Sequence, residues 1–296
     1  MPVQSDRIIS EEATFTAEGG VRLLRRSVFP GAGGASPAWA RLAILHGYGD
    51  HSGRFLHVMR WMAERGVACH ALDFRGHGRS GGRRGFVTRW DDYLDDLDAF
   101  LGLDAVQGDG SSSPLFVLGH SHGGLVLAAA GIRGLAGVEG CIFSAPYLRS
   151  RIVVPPAKVR LARLVNPVTP WLLIPSGLRD EWMSSDPVMV ADSRADPLIL
   201  HGATPRWYLG CREAQAEVAR RAGEFSLPHL LLMGGADPVS DGDAAREFSE
   251  GAASSDKTFR LYPRFLHELL RETGREEILN HILEWLRERT SHPATA

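Results

Sequence analysis

Only three cysteines, Cys69, Cys141 and Cys211, are scattered through the 296 residues. An odd, widely spaced set supports neither a disulfide framework nor a zinc cluster, so reduced thiols buried as small hydrophobes are expected. No apolar run approaches the roughly 20 residues of a membrane span. The opening MPVQSDRIISEEATF also lacks the continuous apolar stretch of a secretory signal, so a soluble cytoplasmic protein is the expectation. Charge of one sign is missing too. With 33 basic against 35 acidic side chains and a net charge of -2, the chain has no field with which to gather nucleic acid, and such partners are set aside. No internal repeat is visible, and nothing marks an oligomeric state.

What is present is a globular composition, 44% hydrophobic and 23% charged, enough to bury a sizeable core. The length exceeds the roughly 150 residues of a typical domain, although folds around one α/β sheet often run longer. TFTAEGGVRLLRRSVFP reads as two extended stretches around Glu18-Gly19-Gly20, a hairpin, with a flexible GAGGAS after it. ARLAILHG, VACHALDFRG, PLFVLGH, VEGCIFSAP, PHLLLMGG and KTFRLYP read as short strands, and QGDGSSS as a loop.

Between them, Phe55, Val58, Met59 and Met62 recur at helical spacing, and Tyr93, Leu97 and Phe100 mark a second buried stripe. The acids of that second helix, Asp91, Asp92, Asp95, Asp96 and Asp98, would mostly face water or favour its N-terminal end. An apolar helix runs from Leu125, and a C-terminal one carries Ile278, Ile282 and Trp285. Strands alternating with helices predict an α/β fold, a mostly parallel sheet flanked by helices. From Pro146 to Gly210 the rhythm fails and proline and tryptophan accumulate. That interval reads as an insertion over the carboxyl ends of the strands, where open α/β sheets place ligands. The expected division is a core of 1–145 and 211–296 with a cap of 146–210.

Gly119-His120-Ser121-His122-Gly123 matches G-x-S-x-G, with a strand before it and an apolar helix after it. A strand-to-helix elbow of this kind exposes the serine and needs small residues where backbones approach. The bland account is a glycine-rich turn with an incidental serine. A nucleophilic serine requires a base held by a third group. Side chains beside Ser121 diverge from it at a sharp elbow, so His120 and His122 are badly placed to serve. In this architecture the order is serine, acid, histidine, the last two on loops after later strands. Asp237, after PHLLLMGG, is preferred as the acid over Asp241 and Asp243, since Asp241 suits the start of the next helix. His267, after KTFRLYP, is preferred as the base over His229, His281 and His292, which fall in a strand, a helix and the tail. The oxyanion hole would use the backbone N–H groups of His122 and Tyr48.

Together HGYGDHSGRF (46–55), DFRGHGRSGG (73–82), GHSHGG (119–124), LLLMGGADPVSD (230–241) and HELL (267–270) resemble the monoacylglycerol lipase and lysophospholipase branch of the α/β-hydrolase family, hydrolases of the serine aminopeptidase S33 type. The resemblance spans nearly the whole chain. It implies the α/β-hydrolase fold, a catalytic triad of Ser121, Asp237 and His267, oxyanion donors at Tyr48 and His122, and a cap forming an acyl-chain channel. It makes Asp73, Arg75 and His77 parts of a structural turn. Some positions depart from the family pattern. His122 stands where methionine is frequent, and Asp50 stands for a glutamate in the stretch that, with Arg54, lies near the polar end of the pocket. Leu270 replaces a second histidine near the alcohol group, so head-group preference transfers least well.

The cap has no acid from Pro146 to Arg179, while Arg149, Arg151, Lys158, Arg160, Arg163 and Arg179 alternate with apolar residues. Such a mixture suits a lipid interface, which makes the cap a candidate for peripheral membrane contact. It equally suits a cap that buries its apolar face and shows arginines to water. The expected function is a serine carboxylic-ester hydrolase acting on monoacylglycerols or similar single-chain lipid esters, with no cofactor or metal. The alternatives are a lysophospholipase, a broad short-chain carboxylesterase, or a non-catalytic lipid-binding protein. A peptidase is disfavoured because the cap shows no evident acidic cluster to capture an amino terminus.

Overall fold

A computed structural model describes residues 8–31, 38–108 and 113–290. Most of GAGGAS and QGDGSSS, and His292 in the tail, lie outside the described residues. The elements follow as β1 (Ile8–Thr16), β2 (Arg22–Pro30), β3 (Ala40–Leu45), α1 (Leu56–Ala63), β4 (Val67–Asp73), α2 (Asp92–Leu101), α3 (Asp104–Gln107), β5 (Leu115–His120), α4 (His122–Arg133) and β6 (Gly140–Ser144). They continue as α5 (Pro156–Val165), β7 (Ile174–Pro175), α6 (Pro187–Ala195), β8 (Gly202–Ala203), α7 (Pro205–Arg221), β9 (His229–Gly234), α8 (Gly242–Gly251), β10 (Lys257–Tyr262) and α9 (Arg275–Glu288).

Among the described residues one eight-stranded sheet runs in the order β1-β2-β4-β3-β5-β6-β9-β10. β1 and β2 form the expected hairpin, Thr16 opposite Arg22, and β2 is also antiparallel to β4. From β4 to β10 every pairing is parallel. Burial explains the sequence pattern. Every residue of β3, β4, β5, β6 and β9 is buried, because helices cover both faces, and those strands read as continuous apolar runs rather than alternations. α1 packs with α9 on one face. On the other, α2 packs against α4, and Phe225 bridges α4 to α8, touching the Gly131 site and lying 5.3 Å from the Phe248 ring. The stripes Phe55, Val58, Met59, Met62 and Ile278, Ile282, Trp285 are all buried, as are the three free cysteines.

Three expectations are corrected. Of the acids of α2, Asp91 and Asp98 reach water and Asp92 and Asp95 lie in the first turn, but Asp96 departs from the expectation: it is buried, and its Oδ1 and Oδ2 accept a bidentate pair from Arg75 at 2.6 and 2.8 Å. The fixed guanidinium offsets only part of the desolvation, and burial still holds the Asp96 carboxyl above its usual range. The helix after the elbow begins at His122 rather than Leu125, since the Ser121 carbonyl already accepts from the Gly124 and Leu125 amides at 3.0 and 3.2 Å. The boundary at residue 210 falls inside α7. Thr204 caps that helix and Pro205 starts it, while Gly210 sits against Trp90, where an added Cβ would lie 3.0 Å from the Trp90 Cβ; the glycine marks a close approach, not a break.

Candidate active site

β5 ends at His120 and α4 begins at His122, which leaves Ser121 alone at the corner with φ 51° and ψ -115°. A non-glycine residue in that region costs about 1–3 kcal/mol and persists only when its surroundings force it. Here they do. A Cβ on Gly119 would stand 2.6 Å from the Gly123 carbonyl oxygen, and one on Gly123 would stand 2.7 Å from that of His46. The backbones can cross this closely only without side chains, and the crossing turns Ser121 Oγ outward.

The three side chains expected to act together are brought together. His267 Nε2 lies 2.9 Å from Ser121 Oγ, and His267 Nδ1 lies 2.9 Å from Asp237 Oδ2. Asp237 Oδ1 accepts from the Val239 and Ser240 amides at 2.7 and 3.0 Å, so both carboxylate oxygens are spoken for. Burial alone would lower the basicity of His267, yet the charge and hydrogen bond of Asp237, joined by the charge of Glu268, raise it above an ordinary imidazole. For Asp237 burial favours the neutral acid, but His267 and the two amides hold the carboxyl below its usual range.

The rivals are occupied elsewhere. Asp241 caps α8 and pairs with Arg149 at 2.6 Å. His229 meets Ser249 Oγ at 2.9 Å, and His281 meets the Tyr262 hydroxyl at 2.8 Å. His120 turns to the Ser144 carbonyl, 3.1 Å away, and burial lowers it to about 3. His122 points into an aromatic box, its ring 4.7 Å from Tyr93 and 5.6 Å from Trp207, and burial keeps it neutral. Neither elbow histidine reaches Ser121 Oγ.

The His46–Tyr48 loop passes directly over the elbow, where a Cβ on Gly47 would lie 3.3 Å from Ser121 Cβ. The Tyr48 N–H makes no hydrogen bond among the described residues, and the His122 N–H, first in α4, lies outside the helical ladder. Two free donors therefore flank the serine at a helix N-terminus, an arrangement suited to negative charge. The DFRGHG turn is structural, as expected. Asp73 accepts from the Ser52 and Arg79 amides at 2.7 and 2.8 Å, and His77 Nδ1 meets the Arg75 carbonyl at 2.9 Å.

Ser121, His267, Asp50 and Arg54 open on one cavity of about 420 Å³, whose apolar wall includes Ile152, Val154, Leu161, Ile174, Leu178 and Ile199. At its polar end the Arg54 guanidinium lies 3.4 Å from Asp50 Oδ1 and 2.7 Å from Glu268 Oε2, and donates to Ser193 Oγ at 2.8 Å. Burial opposes ionisation of both carboxyls; Arg54 outweighs it for Asp50, whereas Glu268 stays above its usual range. Sequence reasoning found Asp50 and Arg54 and missed Glu268 and Ser193. The available signal was an acid immediately after the chosen base. Among the described residues no helix is long and apolar enough to cross a membrane.

A family profile described as serine aminopeptidase, S33, matches residues 36–274. The monoacylglycerol lipase of Mycolicibacterium smegmatis is 29% identical over 279 residues, covering 93% of this chain and 96% of that protein. The monoglyceride lipase of Rattus norvegicus is 30% identical over 255 residues, covering 86% of this chain and 82% of its own. Among solved structures, a soluble variant of monoglyceride lipase from Saccharomyces cerevisiae in complex with a substrate analog matches with a TM-score of 0.85 across 99% of both chains, at 22% identity, a likeness of fold. An elbow serine, a parallel sheet and a profile match over most of the length agree: the chain belongs to the serine aminopeptidase S33 family, in the monoacylglycerol lipase branch of the α/β-hydrolases, and is a serine hydrolase.

Proposed function

We propose that this protein hydrolyses carboxylic esters of single-chain lipids, monoacylglycerols first among them, through an acyl-enzyme on Ser121. The observation that carries the reading is the run of hydrogen bonds from Ser121 through His267 to Asp237, opening on a cavity with one polar end and a long apolar wall. Ser121 Oγ attacks the ester carbonyl while His267 Nε2 takes its proton. Asp237 steadies the imidazolium, and the Tyr48 and His122 amides hold the oxyanion, a contribution of about 10²- to 10³-fold per donor. His267 then gives the proton to the departing alkoxide, and the alcohol leaves an ester on Ser121. Water attacks that ester by the same proton path and releases the fatty acid.

The alcohol is assigned to the Asp50, Arg54 and Glu268 end, and the acyl chain to the apolar wall, where each buried CH₂ contributes about 0.8 kcal/mol. The insertion that opens at Pro146 and closes at Thr204 acts as the cap over this channel, with α7 returning the chain to the core. The outer face of the cap is further assigned to contact with an anionic lipid surface. Leu164 and Val168 are 75% and 72% exposed there, beside the exposed Arg160 and Arg163. A peptidase reading lacks support, because Asp180 and Glu181 are committed to Arg194.

The test is hydrolysis of a matched panel, 1-monoacylglycerols of increasing chain length, lysophosphatidylcholine and aryl esters, by the wild type and Ser121→Ala. Monoacylglycerols should lead, with no turnover by the variant. Turnover of short aryl esters alone would leave the serine mechanism and remove the lipid substrate. Failure to turn over any ester, or to label Ser121 with a fluorophosphonate, would favour a binding protein.

A further inference from the structure

Tyr48 sits between Gly47 and Gly49, and Gly49 has φ +82°. A peptide flanked by two glycines has little intrinsic stiffness, yet an oxyanion donor must sit within about 2.7–3.1 Å of the developing charge. The Tyr48 side chain supplies firm attachments. Its ring stacks on Trp207 of α7, centroids 3.6 Å apart and planes 21° apart. Its hydroxyl donates to the Gly85 carbonyl at 2.8 Å and accepts from the Thr204 amide at 3.4 Å. Thr204 Oγ1 donates to the same Gly85 carbonyl at 2.8 Å, while Thr204 is fully buried as the cap of α7. One residue further on, the Gly49 carbonyl accepts from the Leu200 amide at 2.8 Å.

All of these partners except Gly85 belong to residues 200–207, where the chain comes back from the cap to the core. The loop over the nucleophile is therefore pinned to the returning strand and helix, not only to the sheet that carries it.

We propose that Tyr48 is a positioning residue that couples the seating of the 200–207 return segment to the oxyanion-binding amide, so that Trp207 and Thr204 set how well the tetrahedral intermediate is held. This rests on the ester-hydrolase reading and deepens it. Leu200, Thr204 and Trp207 also line the cavity, whose acyl wall at Ile152 and Leu161 lies outside the return segment; a displacement that shifts the Tyr48 peptide therefore weighs more on the transition state than on substrate affinity.

The experiment compares wild type, Tyr48→Phe, Tyr48→Ala, Trp207→Leu and Tyr48→Ala/Trp207→Leu on a monoacylglycerol. It adds the affinity of an alkyl boronic acid, which forms a tetrahedral adduct with the serine, and of an ether analogue that cannot be cleaved. Trp207→Leu and Tyr48→Ala should lower kcat by about 10- to 100-fold with KM within about twofold, the cost of misplacing a donor by a fraction of an ångström to one ångström. Boronate affinity should fall by the same factor while ether affinity holds. Tyr48→Phe, which keeps the stack and loses both hydrogen bonds of the hydroxyl, should lose about 3- to 10-fold, and it keeps the test available if the larger truncations fail to fold. The double variant should be no worse than Tyr48→Ala alone, since both break one coupling. If ether and boronate weaken together, Tyr48 and Trp207 are only walls of the pocket and the proposal falls. An unchanged kcat in Tyr48→Phe and Trp207→Leu would overturn it as well. A wild type that cleaves no ester would sink the ester-hydrolase reading and this proposal with it; an active wild type with unaffected variants sinks this proposal alone.

Discussion

Residues 153–178 and residues 183–207 lie on one excursion from the sheet, yet their side chains are held very differently. In the first stretch Val153, Leu164 and Val168 are 88%, 75% and 72% exposed, and α5 buries only Ala162. In the second, Ser184, Ser193, Thr204 and Trp207 are buried, and polar ties reach the core at each step. The Ser184 hydroxyl donates to the Arg271 carbonyl at 2.9 Å, Arg54 donates to Ser193, and His51 meets Asp196 at 2.8 Å. Buried polar groups are costly to leave unpaired, whereas exposed apolar ones lose nothing in the folded monomer that they had not already lost. The second stretch is thus a fixed clamp beside the nucleophile. The outer side of the first, at Leu164 and Val168, does not line the cavity and is free to meet something else.

The clamp breaks most severely at Arg54. Arg54→Ala leaves Asp50 buried without its cation and Glu268 with Arg271 alone, 3.1 Å away, so stability should fall by about 3 kcal/mol, the low end of the range for breaking a buried pair from one side. Urea unfolding checks this, and a loss under about 1 kcal/mol would mean that Arg54 holds no charge network together. Activity should fall with it, because Glu268 adjoins the base. In the free stretch the matching change is Arg160→Glu/Arg163→Glu. Neither arginine makes an ion pair among the described residues, and basic side chains near an anionic surface contribute about 1 kcal/mol each. Sedimentation with phosphatidylserine vesicles should show binding weakened by about 25-fold or more, with hydrolysis of a soluble short-chain ester unchanged. Equal binding to neutral and anionic vesicles would remove the lipid-surface assignment.

How much of this contrast could be read from sequence depends on how far apart the partners lie. The elbow, the order of Ser121, Asp237 and His267, and the buried strands are encoded in contiguous runs whose backbone consequences are local. The apolar and basic mixture of 153–178 was equally plain, because exposed residues need no partner to be understood. The clamp was hidden. Arg54 and Glu268 are 214 positions apart, His51 and Asp196 are 145 apart, and Tyr48 and Thr204 are 156 apart. No periodicity signals such pairs. The same blindness hid the burial of Asp96, since only the fold brings Arg75 onto it, and it ended the insertion at Gly210, a glycine chosen for packing on Trp90.

A gentler change separates the charge of the clamp from its shape. Glu268→Gln keeps an oxygen for Arg54 and removes a negative charge beside His267. His267 must be neutral to accept the Ser121 proton, so kcat/KM is lost as pH falls through its folded value, which lies above that of an ordinary imidazole. Removing a neighbouring anion disfavours the imidazolium. The acid limb should therefore move to lower pH, leaving the plateau near the wild-type level. A pH profile measured on a soluble ester reads this directly, and a limb that stays put would mean that Asp237 alone sets the base.

The smallest effect is expected from Leu164→Ser, at the most open turn of α5. The side chain is 75% exposed and does not line the cavity, so the folded monomer has almost no burial there to lose and stability should stay within about 0.5 kcal/mol. If α5 meets lipid, the same leucine is buried only in the bound state. Its loss should then weaken partitioning onto vesicles by about 10-fold, at the 1.5–3 kcal/mol scale of a buried aliphatic side chain, reduced for partial insertion. A variant equally stable, equally active on a soluble ester and selectively weakened on vesicles would fix the open stretch as a contact surface. One that melts early instead would mean that Leu164 belongs to the packing of the cap, and the contrast between its two stretches would be one of degree.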